Sequence, residues 1–162
     1  HDVGKVAISD IILKKKGRLD DDEYETMKTH TWLGARLFAS PTSPFETAAR
    51  EVALSHHEWY DGTGYPGHID MLTGEALEDM AGADGTPMGK KEEEIPLFGR
   101  IVAIADVYDA LSSRRSYKEA WSEDDALAVI REGAGTQFDP QLVDLFVKAR
   151  PALRSIAARY RG

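Results

Sequence analysis

Two adjacent histidines, His56 and His57, open the stretch HHEWYDGTGYP at 56–66, in a chain with only five histidines. His1 is followed directly by Asp2, and His30 sits within MKTHTWLGA at 27–35. Neutral imidazole together with carboxylate is the mixed donor set that suits iron, manganese or zinc. A His-Asp pair is useful at a two-metal site. The histidine holds one ion, and the two aspartate oxygens can bridge to a second. Ions about 3.5–4 Å apart can activate a water and steady the oxygens of a phosphate under in-line attack. Lys5, three residues after Asp2, can reach the same place as a phosphate-binding point charge.

Each of these residues also has a plainer reading. A His-Asp dipeptide is common by itself. His30 alone fits a packed histidine, and His68 fits a surface residue. On a helix, His56 and His57 would lie about 100° apart, so both could not face the core. At least one would then face a groove, a site or solvent. Asp106 and Asp109 are three apart in the apolar run IVAIADVYDAL and share a helix face. They form either a solvated face or a pair of carboxylates with a partner, of which a metal is one. Arg114, Arg115 and Lys118 flank Tyr117 in an otherwise acidic chain. That cluster suits a helix end, or the recognition of a phosphate or a guanine edge. DGTGYP by itself is ordinary turn chemistry.

The elements that must carry these groups read as helices nearly throughout. Ser9 and Asp10 can cap a brief helix that Gly17 ends. Asp20 to Asp22 offer caps for one long helix carrying Tyr24, Met27, Leu33, Leu37 and Phe38. In SPFE, Ser43 caps, Pro44 suits the first helical position and Glu46 suits a capping box. That helix is expected to run to about Glu58 and to carry the histidine pair. Residues 67–94 are weakly periodic and read as a long surface loop or insertion, with a short helix around Glu75 to Met80. IPLFGRIVAIADVYDALSS predicts a helix with Leu97, Ile101, Ile104, Tyr108 and Leu111 on one stripe. Ser122 caps the next helix, and Asp139 with Pro140 opens another, interrupted by Pro151 before an amphipathic tail. No repeat and no convincing strand is visible, so the expected fold class is all-α.

The bulk numbers bound the function. A chain of 162 residues fits one domain with a real core. Apolar residues make up 42% and charged residues 30%, a globular balance. The net charge of −8 argues against a nucleic-acid polymer as partner, although bound cations could reverse the local sign for a small anion. With no cysteine, thiolate metal sites and disulfides are excluded. No apolar run reaches membrane-spanning length, and a cytoplasmic domain is the expectation. The first residue is His1, which suggests an excised domain of a longer protein.

Taken together, HDVGK at 1–5, MKTHTWLGA at 27–35, HHEWYDGTGYP at 56–66, EEEIPLFGRIVAIADVYDALSSRRSYK at 92–118 and FDPQLV at 138–143 resemble the HD-GYP family. This is a branch of the HD metal-dependent phosphohydrolases. The resemblance implies an HD-domain-like helical bundle at 1–150, truncated before His1, with an insertion at 67–94 and a helical tail at 151–162. It implies hydrolysis of the phosphodiester bonds of cyclic di-GMP to linear pGpG or GMP, in bacterial second-messenger signalling. Two or three divalent ions, iron or manganese, are implied. His1, Asp2, His30, His56, His57 and Asp106 look like their ligands, with Asp2 and Lys5 as catalytic groups. Lys5, Tyr65, Arg115 and Lys118 look like substrate contacts, and Asp109 like a residue that supports a ligand from behind. A signalling-domain partner at the GYP loop and a homodimer are further expectations. The alternatives are an HD-type phosphohydrolase acting on another cyclic nucleotide, and a catalytically impaired module that binds cyclic di-GMP or a partner. In this family Trp59 stands where a basic residue is often found, and Tyr60 where tryptophan is common.

Overall fold

The computed structural model describes residues 1–113 and 121–160. Among them the regular structure is helical, and extended pairing is confined to isolated bridges. A 3₁₀ segment, Asp2–Ala7, leads into α1 (Asp10–Leu13), α2 (Asp21–Lys28), α3 (His30–Arg36) and α4 (Pro44–Ser55). After a long connection come α5 (Leu97–Ser112), α6 (Glu123–Glu132), α7 (Pro140–Lys148) and α8 (Arg150–Tyr160). No described helix is long and apolar enough to cross a membrane.

Local chemistry sets the helix starts. Asp20 accepts from the Glu23 N–H at 3.0 Å while the Glu23 carboxylate accepts from the Asp20 N–H at 2.9 Å, a closed capping box. Ser43 caps α4 by accepting from the Glu46 N–H, and Pro44 fills the first position. The Glu46 carboxylate, however, turns back to Thr42 instead of closing a box on Ser43. Ser122 and Asp139 cap α6 and α7 in the same manner.

The single long helix expected from Asp20 onward is two. The Thr29 and Thr31 hydroxyls bond the Thr26 and Lys28 carbonyls at 2.7 and 2.9 Å, a local competition that breaks the run between α2 and α3. Nor does α4 reach Glu58: it ends at Ser55, with His56 as its cap. The stripe expected on α5 is also different. Leu97 and Ile101 are half exposed, and the buried positions are Gly99, Ala103 and Ile104. The inward face is small because α4 comes close: a Cβ at Gly99 would lie 2.8 Å from that of Ser55.

Residues 67–91 are a chain of turns that folds back on itself, bridged at Ile69–Ala76 and Ala81–Pro87. No helix forms at Glu75 to Met80. Asp79 is left-handed with φ 65°, and the Leu77 N–H bonds the His68 carbonyl at 2.9 Å instead. The segment is also anchored: Ile69 is buried, and Gly74 lies against the Trp32 indole of α3. His68 is not the surface residue expected, since its side chain is 17% exposed and its Nε2 lies 3.6 Å from Glu94.

The apolar core lies in the C-terminal half. Ile104, Ile130, Phe138 and Val143 are buried together, with Val107, Leu142, Phe146 and Val147 packed around them. Asp139, next to Phe138, caps α7 and accepts from Arg100 of α5 at 2.6 Å, which ties the two helices together. The tail helix α8 is held to α6 by Arg150 and Arg154 on Glu123.

Candidate metal centre

The N-terminal half presses backbone against backbone. The 3₁₀ segment packs on α3 through Gly4 and Gly34, and a Cβ on Gly4 would collide with the His30 carbonyl. Only glycine permits this approach, and it carries Asp2 to the ring of His30. Asp2, His30, His56 and His57 each place one donor atom within 4.8 Å of the others.

The two buried imidazoles are oriented from behind. His30 Nδ1 lies 2.7 Å from the Met27 carbonyl, and His56 Nδ1 lies 2.9 Å from that of Val52. Each Nδ1 therefore carries the proton, and each Nε2 turns a lone pair into the cluster. These two Nε2 atoms lie 3.3 Å apart. Two facing lone pairs at that distance repel, and a cation between them converts the repulsion into coordination. Carbonyl acceptors behind ligating histidines are the usual means of aiming them. The donor set thus fits a divalent ion.

His57 joins the same cluster, its ring centroid 4.1 Å from that of His56. The 100° separation expected of a helical pair does not apply, because both residues lie beyond the last turn of α4 and their rings converge. Burial holds His57 neutral, pushing its pKa down to about 3, and burial also lowers that of His30. Neutral imidazole is the ligating form. Asp2 is held well below the usual carboxylate range, first by the neighbouring His56 and then by Lys5, against the opposing effect of burial.

The two Asp2 oxygens face different neighbours. Oδ1 lies 3.5 Å from His30 Nε2 and 3.7 Å from His56 Nε2. Oδ2 accepts from Lys5 Nζ at 2.7 Å and lies 3.6 Å from His1 Nε2. His1 in turn lies 3.4 Å from Asp106 Oδ1 on α5. The structure therefore brings six sequence-selected donors to one face, as a tight group of four with His1 and Asp106 beside it. Asp109, a turn along α5, is exposed and accepts from Ser113 at 2.9 Å. Arg115 and Lys118 lie outside the described residues.

Tyr65 stacks on His57, with centroids 4.8 Å apart and the planes 27° from parallel. Burial raises its pKa, with smaller contributions from Tyr24, Asp2 and Asp106. Tyr24 meets Tyr65 edge-on at 6.3 Å, and Lys28 Nζ stands 5.7 Å from the Tyr65 ring. Sequence reading assigned Tyr24 and Lys28 no place here. The available signal was their position in the turns just before His30. It also passed over Glu58, which directly follows the histidine pair yet is 2% exposed.

Known proteins resemble this chain in sequence and in fold. An HD domain family model matches residues 69–142. A cyclic di-GMP phosphodiesterase of Vibrio cholerae is 45% identical over 99% of this chain, which covers 30% of that protein. The cyclic di-GMP phosphodiesterase response regulator RpfG of Xanthomonas campestris is 42% identical over 99% of this chain, covering 37% of it. The chain thus spans about a third of the length of these curated relatives. A crystal structure of a cyclic GMP-AMP-specific phosphodiesterase of V. cholerae superposes with a TM-score of 0.55 at 20% identity, over 95% of this chain and 34% of the other.

Proposed function

We propose that the chain belongs to the HD-domain family and is the hydrolytic domain of a cyclic dinucleotide phosphodiesterase acting on cyclic di-GMP. The observation that carries the reading is the convergence of Asp2, His30, His56 and His57, with the His30 and His56 Nε2 atoms facing each other at 3.3 Å. The names of the relatives at 45% and 42% identity supply the substrate class.

In this proposal His30, His56, His57 and Asp2 hold iron or manganese, and His1 and Asp106 extend the site. Bound divalent ions supply Lewis acidity, which lowers the pKa of water and offsets phosphoryl charge. The protein groups do the rest. Asp2 presents its two oxygens to two neighbouring sets of donors. The Lys5 ammonium, held at 2.7 Å by Asp2, places a positive charge where phosphoryl oxygens gain negative charge. Tyr65, stacked on His57, offers a rigid aromatic face beside the cluster. Arg115 and Lys118 are further substrate contacts, and Asp109 supports the α5 end of the site. The products are linear pGpG or GMP. A signalling-domain partner at the GYP loop and a homodimer belong to the same reading.

The test uses the full-length protein loaded anaerobically with iron or manganese. Hydrolysis of cyclic di-GMP is expected, lost in Asp2→Ala and His57→Ala. Stoichiometric metal with no turnover would overturn the reading. Turnover of a different cyclic dinucleotide in preference would keep the chemistry and change the substrate.

A further inference from the structure

Glu58 follows the histidine pair directly and has no role in the mechanism above. It is 2% exposed. Its Oε1 accepts the Gly67 N–H at 2.7 Å and lies 4.0 Å from Lys90 Nζ, itself on a side chain 16% exposed. Its Oε2 is buried without a hydrogen-bond partner among the described residues. A carboxylate placed this deep is costly to desolvate, and one lysine at 4.0 Å offsets only part of that cost. What the placement achieves is geometric.

Between Glu58 and Gly67 the chain makes the DGTGYP turn, and its return limb is tied to its outgoing limb at three points. The Tyr65 N–H bonds the His57 carbonyl at 3.1 Å. Gly64 runs so close to the backbone at Trp59 that a Cβ there would collide with it. Glu58 then closes the loop at Gly67. On its other side the turn is braced by the end of the 67–91 segment. The His68 N–H bonds the Met88 carbonyl, the Glu92 N–H bonds the Tyr60 carbonyl, both at 2.9 Å, and Lys90 reaches in to Glu58. Tyr65 lies between these anchors with its ring on His57.

We infer that Glu58, paired with Lys90, is a positioning residue that holds the 61–67 turn so that Tyr65 stays stacked on His57. Through Lys90 the 67–91 segment bears on the same face, so it is mechanically part of the site. The geometric half of this inference stands on the contacts alone, and the catalytic half rests on the proposed function.

The experiment compares Glu58→Ala, Glu58→Gln, Lys90→Met, Tyr65→Ala and the Glu58→Ala/Tyr65→Ala double variant in the metal-loaded full-length protein. Two readouts are taken: hydrogen exchange of residues 61–67 by mass spectrometry, and kcat and KM for cyclic di-GMP. Loss of the clamp opens the turn locally, and misplacing a positioning group by about 1 Å can cost up to roughly 100-fold. Glu58→Ala is expected to speed exchange across 61–67 and raise KM by about tenfold, with a smaller change in kcat. Glu58→Gln, which keeps an oxygen for the Gly67 N–H, is expected to restore most of both, and Lys90→Met to fall between. The double variant is expected to be no worse than Tyr65→Ala alone, because Glu58 acts through Tyr65. Unchanged exchange in Glu58→Ala, or additive losses in the double variant, would overturn the inference. If exchange responds as expected but wild type turns over no cyclic dinucleotide, the clamp stands and the proposed function falls. Should Glu58→Ala not fold, Lys90→Met against Glu58→Gln decides: wild-type exchange and KM in Lys90→Met would overturn it.

Discussion

Around His30 the fully buried side chains are His30, Thr31 and Ser55, with His56 and Glu58 close behind; around Phe138 they are Ile104, Leu127 and Ile130, with Val143. The first region buries polar groups and gains its closeness from backbone contact at Gly4 and Gly34. The second buries hydrocarbon and gains its closeness from interlocking side chains. A metal centre needs donors that are desolvated, neutral and aimed, and an apolar core offers none of these. The chain therefore separates the tasks: α5 to α7 supply cohesion, and the 3₁₀ segment, α3 and the end of α4 supply orientation. Helix α5 belongs to both, with Ile104 in the core and Asp106 beside His1.

Substitutions should separate these regions cleanly. The largest expected effect is on metal. His56→Ala removes a central donor and should weaken metal binding by more than roughly 100-fold, the upper end for loss of an outer partner. Elemental analysis after dialysis measures it, and the apo melting temperature should change little. Phe138→Ala should do the reverse. It is expected to cost about 3–5 kcal/mol by denaturant unfolding, while metal bound per folded molecule stays at the wild-type level. A fall in metal affinity in Phe138→Ala would erase the distinction between the regions.

A smaller effect is expected from pH on the metal-free protein. His57 has its pKa lowered from 6.5 to about 3 by burial, so the unfolded chain takes up this proton first. The sign follows: the folded state is fully favoured by His57 above about 6.5, and loses that advantage as pH falls toward 3. His57→Gln should flatten the dependence of melting temperature on pH in that window, and an unchanged slope would place the titration elsewhere. The smallest effect is expected at Asp20, the exposed cap of α2. Asp20→Ala removes the α2 cap and should lower the melting temperature slightly, with metal binding unaltered by the same dialysis measurement.

Much of the scaffold was legible along the chain because its signals are local. The caps at Asp20, Ser43, Ser122 and Asp139 and the all-α class each follow from a few neighbouring residues, whereas the capping box expected at Ser43 does not close because Glu46 turns to Thr42. The errors share the opposite character. The break at Thr29 depends on two threonine hydroxyls choosing carbonyls over solvent. The early end of α4 depends on what His56 and His57 gain by converging. The inward face of α5 is small because α4 lies against it, which periodicity cannot reveal. The turn at Asp79 replaced an expected helix because His68 and Met88 offered backbone partners from a distance.

The sequence by itself determined which donors exist and that they are histidine and carboxylate, since with no cysteine any protein metal site must draw on such groups. It also determined that helices would carry them, through caps and apolar spacing. Only the tertiary structure decided that residues 2, 30, 56 and 57 meet, which oxygen of Asp2 faces which neighbour, and that Glu58 and Lys90 hold the turn bearing Tyr65. The physical reason is that convergence depends on distance in space. It is set here by glycine contacts and backbone hydrogen bonds between segments far apart in the chain, which no local pattern encodes.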